Sequence, residues 1–585
     1  MRPCKLSVTI LKNPMLSDNK YLKSLTVAVL ITFSAMIILG LYMPLQTDEV
    51  AYLMLNHRAL IDGGQIYHGY PQCGVQQFSH PLPWVWYLPA YFNDLTYARV
   101  DHPIWIRIGG IIQFFMWFFL WIAIAIKLFN IPRINWPLLT AILLAFLGLD
   151  ALPLSLLVNR PEQILLIGVG AFILFALYAR EISKSLSLQI LATLLLFFVA
   201  MYMHAIHPKS ITLLPFEVMT GGLFLKHAWR SRLITCAGIV LLFWIAMDSY
   251  IVAAQRLQCP DSPLVRHILA GIYLSPSALL TSPGFFSLVA ICNLIASFFS
   301  ALSVHYHITS VNAWIPLSLQ PMNALMVALI DILDAIAWLI YICVLFMTIR
   351  FCYRGICVTG LKKIIPEASA NLPSSTAWLG IITLLSGLLA VFTLMTAYFY
   401  AASFAVPLLL LMLMLILSLR KNEITQKHPR FIQGVNTLLL LAVVNHIVLL
   451  ERYSAFITEP EAHNSTISRR VMTISAWGYE NRLKDIKELE SLCNVHPNVS
   501  SNHIVTDDTT YFRYHYGFEP LPIYTSVWIK PEFKASDYFE LLRQYNSDGV
   551  ISACQNFPSK LLPYAIKHGD FCCIPKAIVN SPRLH

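Results

Sequence analysis

The sequence predicts a polytopic α-helical membrane protein of about eleven transmembrane helices that ends in an extracytoplasmic α/β domain. Three observations predict it. The 585 residues are 57% hydrophobic and 12% charged, about half the charged fraction of an ordinary soluble domain, and mean hydropathy is +0.63. The remaining charges gather into short clusters between apolar runs, several of which reach the roughly 20 residues that cross a bilayer. Beyond Glu451 the hydropathy collapses, and short strand and helix patterns alternate. Residues 1–450 therefore read as a membrane domain and 451–585 as a soluble one.

Apolar runs place spans near 22–44, 104–129, 137–157, 164–180, 188–206, 210–225, 233–253, 321–349, 376–397, 402–419 and 431–450. The run Gly284–Ser303 is also long enough, and is read as an interfacial segment or as half of a hairpin with Ile268–Leu280. Arg2, Lys5, Lys12, Lys20 and Lys23 precede the first span, which places the N terminus in the cytoplasm. Later basic clusters, from Lys127 and Arg133 to Lys427 and Arg430, alternate onto that same side. The loop 45–103 and the C-terminal domain then face outwards. The first span has a long basic leader and no small-residue cleavage site, so it reads as a retained anchor. The net charge of +10 is thus topological. It fits anionic membrane lipids as a partner and gives no reason to invoke nucleic acid.

Within the loop 45–103, Thr47 can cap a helix carrying Val50, Leu53, Met54, His57 and Ile61 on one stripe, ended by Gly63 and Gly64. That is an interfacial helix. The stretch Pro81–Tyr87, rich in Trp and Tyr, suits a second interfacial element. In the C-terminal domain the patterns predict strands at His503–Thr506, Pro522–Thr525, Gly549–Ala553 and Phe571–Ile574. Helices are expected at Thr509–Tyr516, Ser536–Tyr545 and Ser559–His568, giving a largely parallel sheet. No Gly-rich phosphate loop is present, which argues against nucleotide binding there. Of twelve cysteines, Cys73, Cys259, Cys493, Cys554, Cys572 and Cys573 fall outside, where disulfides persist. Cys554 could pair with Cys572 or Cys573, and free buried thiols are the alternative. The chain has no Cys-x-x-Cys pair, so structural zinc is not expected.

Asp48 and Glu49 follow the first span directly, and ionised groups at a membrane boundary are candidates for function. Asp48 could act as a general base toward an acceptor hydroxyl, with Glu49 orienting the acceptor or tuning its neighbour. Capping a helix dipole is the bland alternative. Arg107 lies three residues inside the second span, where a cation demands an anionic partner. Arg160-Pro161-Glu162 fills a short outer loop, and His204, His207 and Lys209 crowd the end of the fifth span. Cations gathered there could hold the phosphate of a lipid carrier. His204 and His207, like His305 and His307, read better as capping and packing groups than as metal ligands. Asp331 and Asp334 share a helix face, which leaves an ion pathway open; Asp150, Glu217 and Asp248 stay ambiguous.

The chain resembles the GT-C membrane glycosyltransferases, and within them the protein O-mannosyltransferase and lipid A aminoarabinose transferase group. The acidic pair after the first span carries the likeness, as does Ser79-His80-Pro81-Leu82-Pro83-Trp84, with His80 where that group has a lysine facing donor phosphate. Trp105-Ile106-Arg107-Ile108, Arg160-Pro161-Glu162 and His207-Pro208-Lys209-Ser210 ahead of Leu213-Leu214-Pro215 are similar to further segments of the group, and Tyr398-x-Tyr400 precedes Pro407 without the group's Arg. The resemblance runs from about residue 22 to 450. It implies a glycosyltransferase of a bacterial inner membrane, moving a sugar from a polyprenyl-phosphate donor to a surface glycan or glycolipid such as lipopolysaccharide. It implies Asp48 and Glu49 as the catalytic carboxylates, His80, Arg107 and Lys209 on the donor phosphate, and Glu162 and Arg160 toward the acceptor. No cofactor is expected, though a divalent metal is left open. The alternative is a transporter or flippase for a lipid-linked saccharide that uses Asp331 and Asp334. A receptor with a ligand-binding outer domain is a third reading.

Overall fold

The computed structural model describes residues 20–43, 45, 49–50, 65–67, 77–79, 102–129, 136–150, 153, 159, 161–206, 208–224, 229–257, 278–299, 303–305, 323–359, 429–458, 476–497, 503–507, 509–514, 534–544 and 546–581. The expected spans at 376–397 and 402–419, the interfacial element Pro81–Tyr87 and the strand Pro522–Thr525 lie outside them. So does the interfacial helix after Val50.

The membrane domain begins with α1 (Lys20–Gly40), followed by a small antiparallel ladder of β1 (Gln65–Tyr67) and β2 (Gln77–Ser79), with Ile66 opposite Phe78. Then come α2 (Ile104–Phe129), α3 (Trp136–Leu147), α4 (Pro161–Leu177), the short α5 (Ala179–Ile182) and α6 (Leu186–Ile206). A 3₁₀ turn (Pro208–Leu213) leads into α7 (Leu214–Leu223), α8 (Trp229–Leu257), α9 (Ala278–Thr281), α10 (Pro283–Phe299), α11 (Ala324–Thr359) and α12 (Pro429–Thr458). Among the described residues, α1, α2, α6, α11 and α12 are long and apolar enough to cross a membrane. The 21 residues of α1 span about 31 Å, matching a hydrocarbon core of about 30 Å. One end of the bundle is marked by Lys127 at the close of α2, which donates to Glu181 of α5 at 2.8 Å. The other end holds Met43, Arg107 and Asn159.

The run expected to span 137–157 is helical as α3 only to Leu147, because the chain turns at Gly148-Leu149-Asp150. Asp150 sits in the left-handed region (φ 54). A Cβ on Gly148 would fall 2.0 Å from Nε2 of His446 in α12, so only glycine lets the two elements meet. Asn445 Nδ2 donates to the carbonyls of Gly148 (2.7 Å) and Asp150 (2.9 Å), satisfying backbone that water cannot reach. The run expected as 210–225 is likewise the 3₁₀ turn followed by the ten-residue α7.

The C-terminal domain contains α13 (Tyr479–Cys493), β3 (Ile504–Val505), α14 (Ala535–Gln544), β4 (Gly549–Ala553), β5 (Ile566–His568), β6 (Phe571–Pro575) and α15 (Lys576–Val579). The sheet order is β3-β4-β6-β5. Among the described strands only β3 and β4 are parallel, while β4–β6 and β5–β6 are antiparallel, so these four strands form a mixed rather than a largely parallel arrangement. The reason lies in 559–568. Pro563 interrupts helical hydrogen bonding in the expected helix, the chain forms a 3₁₀ turn at Leu562–Tyr564, and β5 pairs back on β6 across Gly569 (φ 57). The expected helix 509–516 is a series of turns over 509–513. Side chains of β3, β4 and β6 alternate between two layers. Val505, Val550, Cys572 and Ile574 face Phe539 and Leu542 of α14. Ile504, Ile551, Phe571 and Cys573 face Ile486 and Leu489 of α13. Two disulfides close these layers, Cys554–Cys572 and Cys493–Cys573.

Candidate functional site

Glu49 and Arg107 meet at the end of the bundle where α1 stops and α2 starts. Arg107 Nη1 donates to Glu49 Oε1 at 2.8 Å, and the two side chains are 2% and 0% exposed. The same Glu49 oxygen accepts the Asn159 amide at 2.8 Å. Arg107 Nε reaches the Met43 carbonyl at 3.4 Å. Asn159 Nδ2 donates to the Ile106 carbonyl at 3.0 Å and its Oδ1 accepts from Gln113 at 3.1 Å. One carboxylate thus ties together the segment after α1, the first turn of α2 and Asn159, two residues before α4. A buried ion pair is held only where hydrogen bonds complete it, and this one is so completed.

Of the residues singled out in the sequence, the structure brings Glu49 and Arg107 together. Asp48, His80 and Arg160 lie outside the described residues. Glu162 begins α4 and Lys209 lies in the 3₁₀ turn, and only their backbone is described. The turn carrying Lys209 is anchored by a buried cluster. His204 Nδ1 lies 2.6 Å from Ser210 Oγ, and His204 Nε2 lies 2.8 Å from Glu217 Oε2 of α7. His204, Ser210 and Glu217 are each at most 2% exposed. Both ring nitrogens of His204 are thus engaged by side chains of the turn and of α7.

The acids read as an ion pathway also have partners. Asp334 accepts from Ser303 Oγ (2.5 Å) and from the His305 amide (2.9 Å), and it shares the Val304 amide with Asp150. Asp331 pairs with His305 Nδ1 at 2.5 Å in a partly exposed position. Among the described residues, no group of three or more His, Cys, Asp or Glu side chains is gathered so as to hold a metal ion.

Two groups near the site carried little signal in the sequence. Asn159 has no charge to mark it. Asp507, at the end of β3, is fully buried and collects donors from the turn after it and from the end of β4. Its Oδ1 accepts from the Thr509 and Thr510 amides (3.1 and 2.9 Å) and hydroxyls (2.7 and 2.8 Å). Its Oδ2 accepts from Ser552 Oγ (2.7 Å), the Ala553 amide (3.1 Å) and Asn556 Nδ2 (2.6 Å). The Asp-x-Thr-Thr spacing after a strand is the legible sign of such a turn.

No protein-family model matches the chain, and no curated protein matches it. Its structure is similar to that of ArnT from Cupriavidus metallidurans bound to undecaprenyl phosphate, with TM-score 0.40 and 10% identity, covering 96% of this chain and 99% of that one. It is also similar to the oligosaccharyltransferase of Archaeoglobus fulgidus tethered with an acceptor peptide, with TM-score 0.40 and 12% identity, covering 92% of this chain and 70% of that one. At these scores the likeness is one of outline and assigns no chemistry to this chain.

Proposed function

We propose that the chain is a membrane glycosyltransferase that moves a sugar from a polyprenyl-phosphate donor to a hydroxyl of a surface glycan or glycolipid. The observation that carries this reading is the buried Glu49–Arg107 pair. It pins the segment next to Asp48 at the mouth of two membrane-crossing helices, where a lipid-borne donor and a water-borne acceptor can meet. The order of motifs along the membrane domain supports it. The two disulfides support an oxidising, periplasmic setting for the C-terminal domain, and hence the outer face of a bacterial inner membrane.

In the proposed reaction the Asp48 carboxylate takes the proton of the acceptor hydroxyl. The oxygen attacks the anomeric carbon, and the bond from that carbon to the phosphate oxygen breaks as the lipid phosphate leaves with the electron pair. The leaving charge needs preorganised donors. Arg107 has its charge offset by Glu49, so it would contribute N–H groups more than net charge. His80 and Lys209 would then supply the charge toward phosphate. Glu49 orients this frame, and Glu162 and Arg160 would face the acceptor.

The test is reconstitution with a pool of polyprenyl-phosphate sugars and a glycan or glycolipid acceptor. Asp48→Asn should lower transfer by at least about 100-fold while thermal unfolding is unchanged. Transfer at the wild-type rate would overturn the assignment. Loss of saccharide movement in Asp331→Asn, with Asp48→Asn still active, would favour the flippase.

A further inference from the structure

Leu45 and Val50 flank the acidic pair, and Ile106 precedes Arg107. All three are at most 1% exposed, yet their apolar cluster is completed by the C-terminal domain, through Tyr479, Tyr511 and Phe512. His102, just before α2, meets the Tyr479 ring edge-on at 4.9 Å, and Tyr42, after α1, meets Trp477 at 6.1 Å. Tyr479 and Phe512 pack edge to face at 6.2 Å, as do Tyr511 and Phe512 at 5.6 Å. The turn carrying Tyr511 and Phe512 is fastened on both sides. Asp507 holds its start through the Thr509 and Thr510 amides. Glu490 of α13 holds its end, accepting Arg513 Nε (2.7 Å), Arg513 Nη2 (3.0 Å) and Tyr514 Oη (2.7 Å).

We propose that the C-terminal domain is a working part of the acid site: Asp507 and Phe512 are positioning residues that set the segment 45–50 through this aromatic wedge. A rigid turn pressed onto Leu45 and Val50 limits where Glu49, next to Val50, can sit, and displacements of about 1 Å at a reacting group are costly to rate. The two anchors of the turn are charged groups buried in the soluble domain, so the wedge inherits the stiffness of the sheet. The catalytic meaning of the segment rests on the transferase reading, whereas the mechanical coupling does not.

Hydrogen exchange on the full chain in nanodiscs tests the coupling. Peptides covering 45–50 and 549–553 are compared in wild type, Asp507→Asn, Phe512→Ala, Phe512→Leu and Asp548→Asn, the last loosening the far end of the same sheet. Exchange at 45–50 should rise about tenfold in Asp507→Asn and Phe512→Ala, stay near wild type in Phe512→Leu, and not change in Asp548→Asn. Wild-type exchange at 45–50 in Phe512→Ala, or an equal rise in Asp548→Asn, overturns the proposal. If Phe512→Ala also unprotects 549–553, a wild-type rate at 45–50 in Asp507→Asn overturns it instead. With donor and acceptor present, Asp507→Asn should lower kcat about tenfold with KM for the lipid donor within about twofold, and a rise in KM alone would count against positioning. Absence of transfer in wild type would sink the transferase reading while leaving the exchange result to decide the coupling.

Discussion

At the scale of single residues, the Glu49–Arg107 pair is a fully buried ion pair at the acidic mouth of the bundle. Both groups are out of water, so removing one takes an offsetting charge away from the other. Arg107→Met should therefore destabilise the protein by about 3–5 kcal/mol. Glu49→Gln, which keeps an acceptor for the Asn159 amide, should cost less. Combining them should cost at least about 1 kcal/mol less than the sum, because each single change already breaks the pair. Chemical or thermal unfolding of the wild type and the three variants measures this, and strict additivity would show that the pair is not coupled. Half of this arrangement was legible in the sequence. Arg107 inside an apolar run requires an anion, and Glu49 is among the acids near that mouth. What could not be read is the amide of Asn159, which reaches the same Glu49 oxygen from 110 residues away and carries no charge to mark it.

Among the elements, β4 and β6 show how patterns became structure. Their residues are buried nearly throughout, and the apolar runs 549–553 and 571–574 were legible as strands for that reason. Direction was not legible, because it depends on the hairpin at Gly569, which reverses β5 onto β6 where a helix was expected. Nor was α13 foreseen: it is polar on its outer side, and its inner face is recognisable only once the sheet exists to receive Ile486 and Leu489. Asp548, just before β4, bonds the start of α15 and β3 together by accepting from Lys576 and from the His503 amide. Burial alone would raise its carboxyl, but the Lys576 and His503 contacts outweigh that and hold it below the usual value. A lowered folded-state pKa means the contribution is complete above the unfolded value of about 4 and is lost as pH falls through the folded one. Thermal melts of the full chain should therefore lose about 0.5–1 kcal/mol from this group below pH 4, the small size reflecting the exposed Lys576. Asp548→Asn should remove that part of the pH dependence; an unchanged acid slope would exclude the group.

For the whole molecule, two different forces hold the two domains, and reductant separates them. The membrane bundle keeps its helices through backbone bonds satisfied within each helix and through apolar packing of α1, α3 and α12. The soluble domain instead relies on a small layered core with disulfides 18 and 80 residues apart in sequence. Loops of those lengths are worth about 3 and about 4.5 kcal/mol, mainly by restricting the unfolded chain. That is a large share of a domain's net stability of about 5–15 kcal/mol. Mild reduction of the nanodisc-embedded protein should therefore open the region beyond 476 to protease while fragments containing α1 to α12 survive. Because the cluster of Leu45, Val50, Ile106, Tyr479, Tyr511 and Phe512 spans both domains, the segment 45–50 should become exchange-labile in the same titration with reductant. Protection at 45–50 that outlasts the protection of 549–553 would mean that the bundle holds the acidic segment unaided, and the two domains would then be neighbours rather than one site.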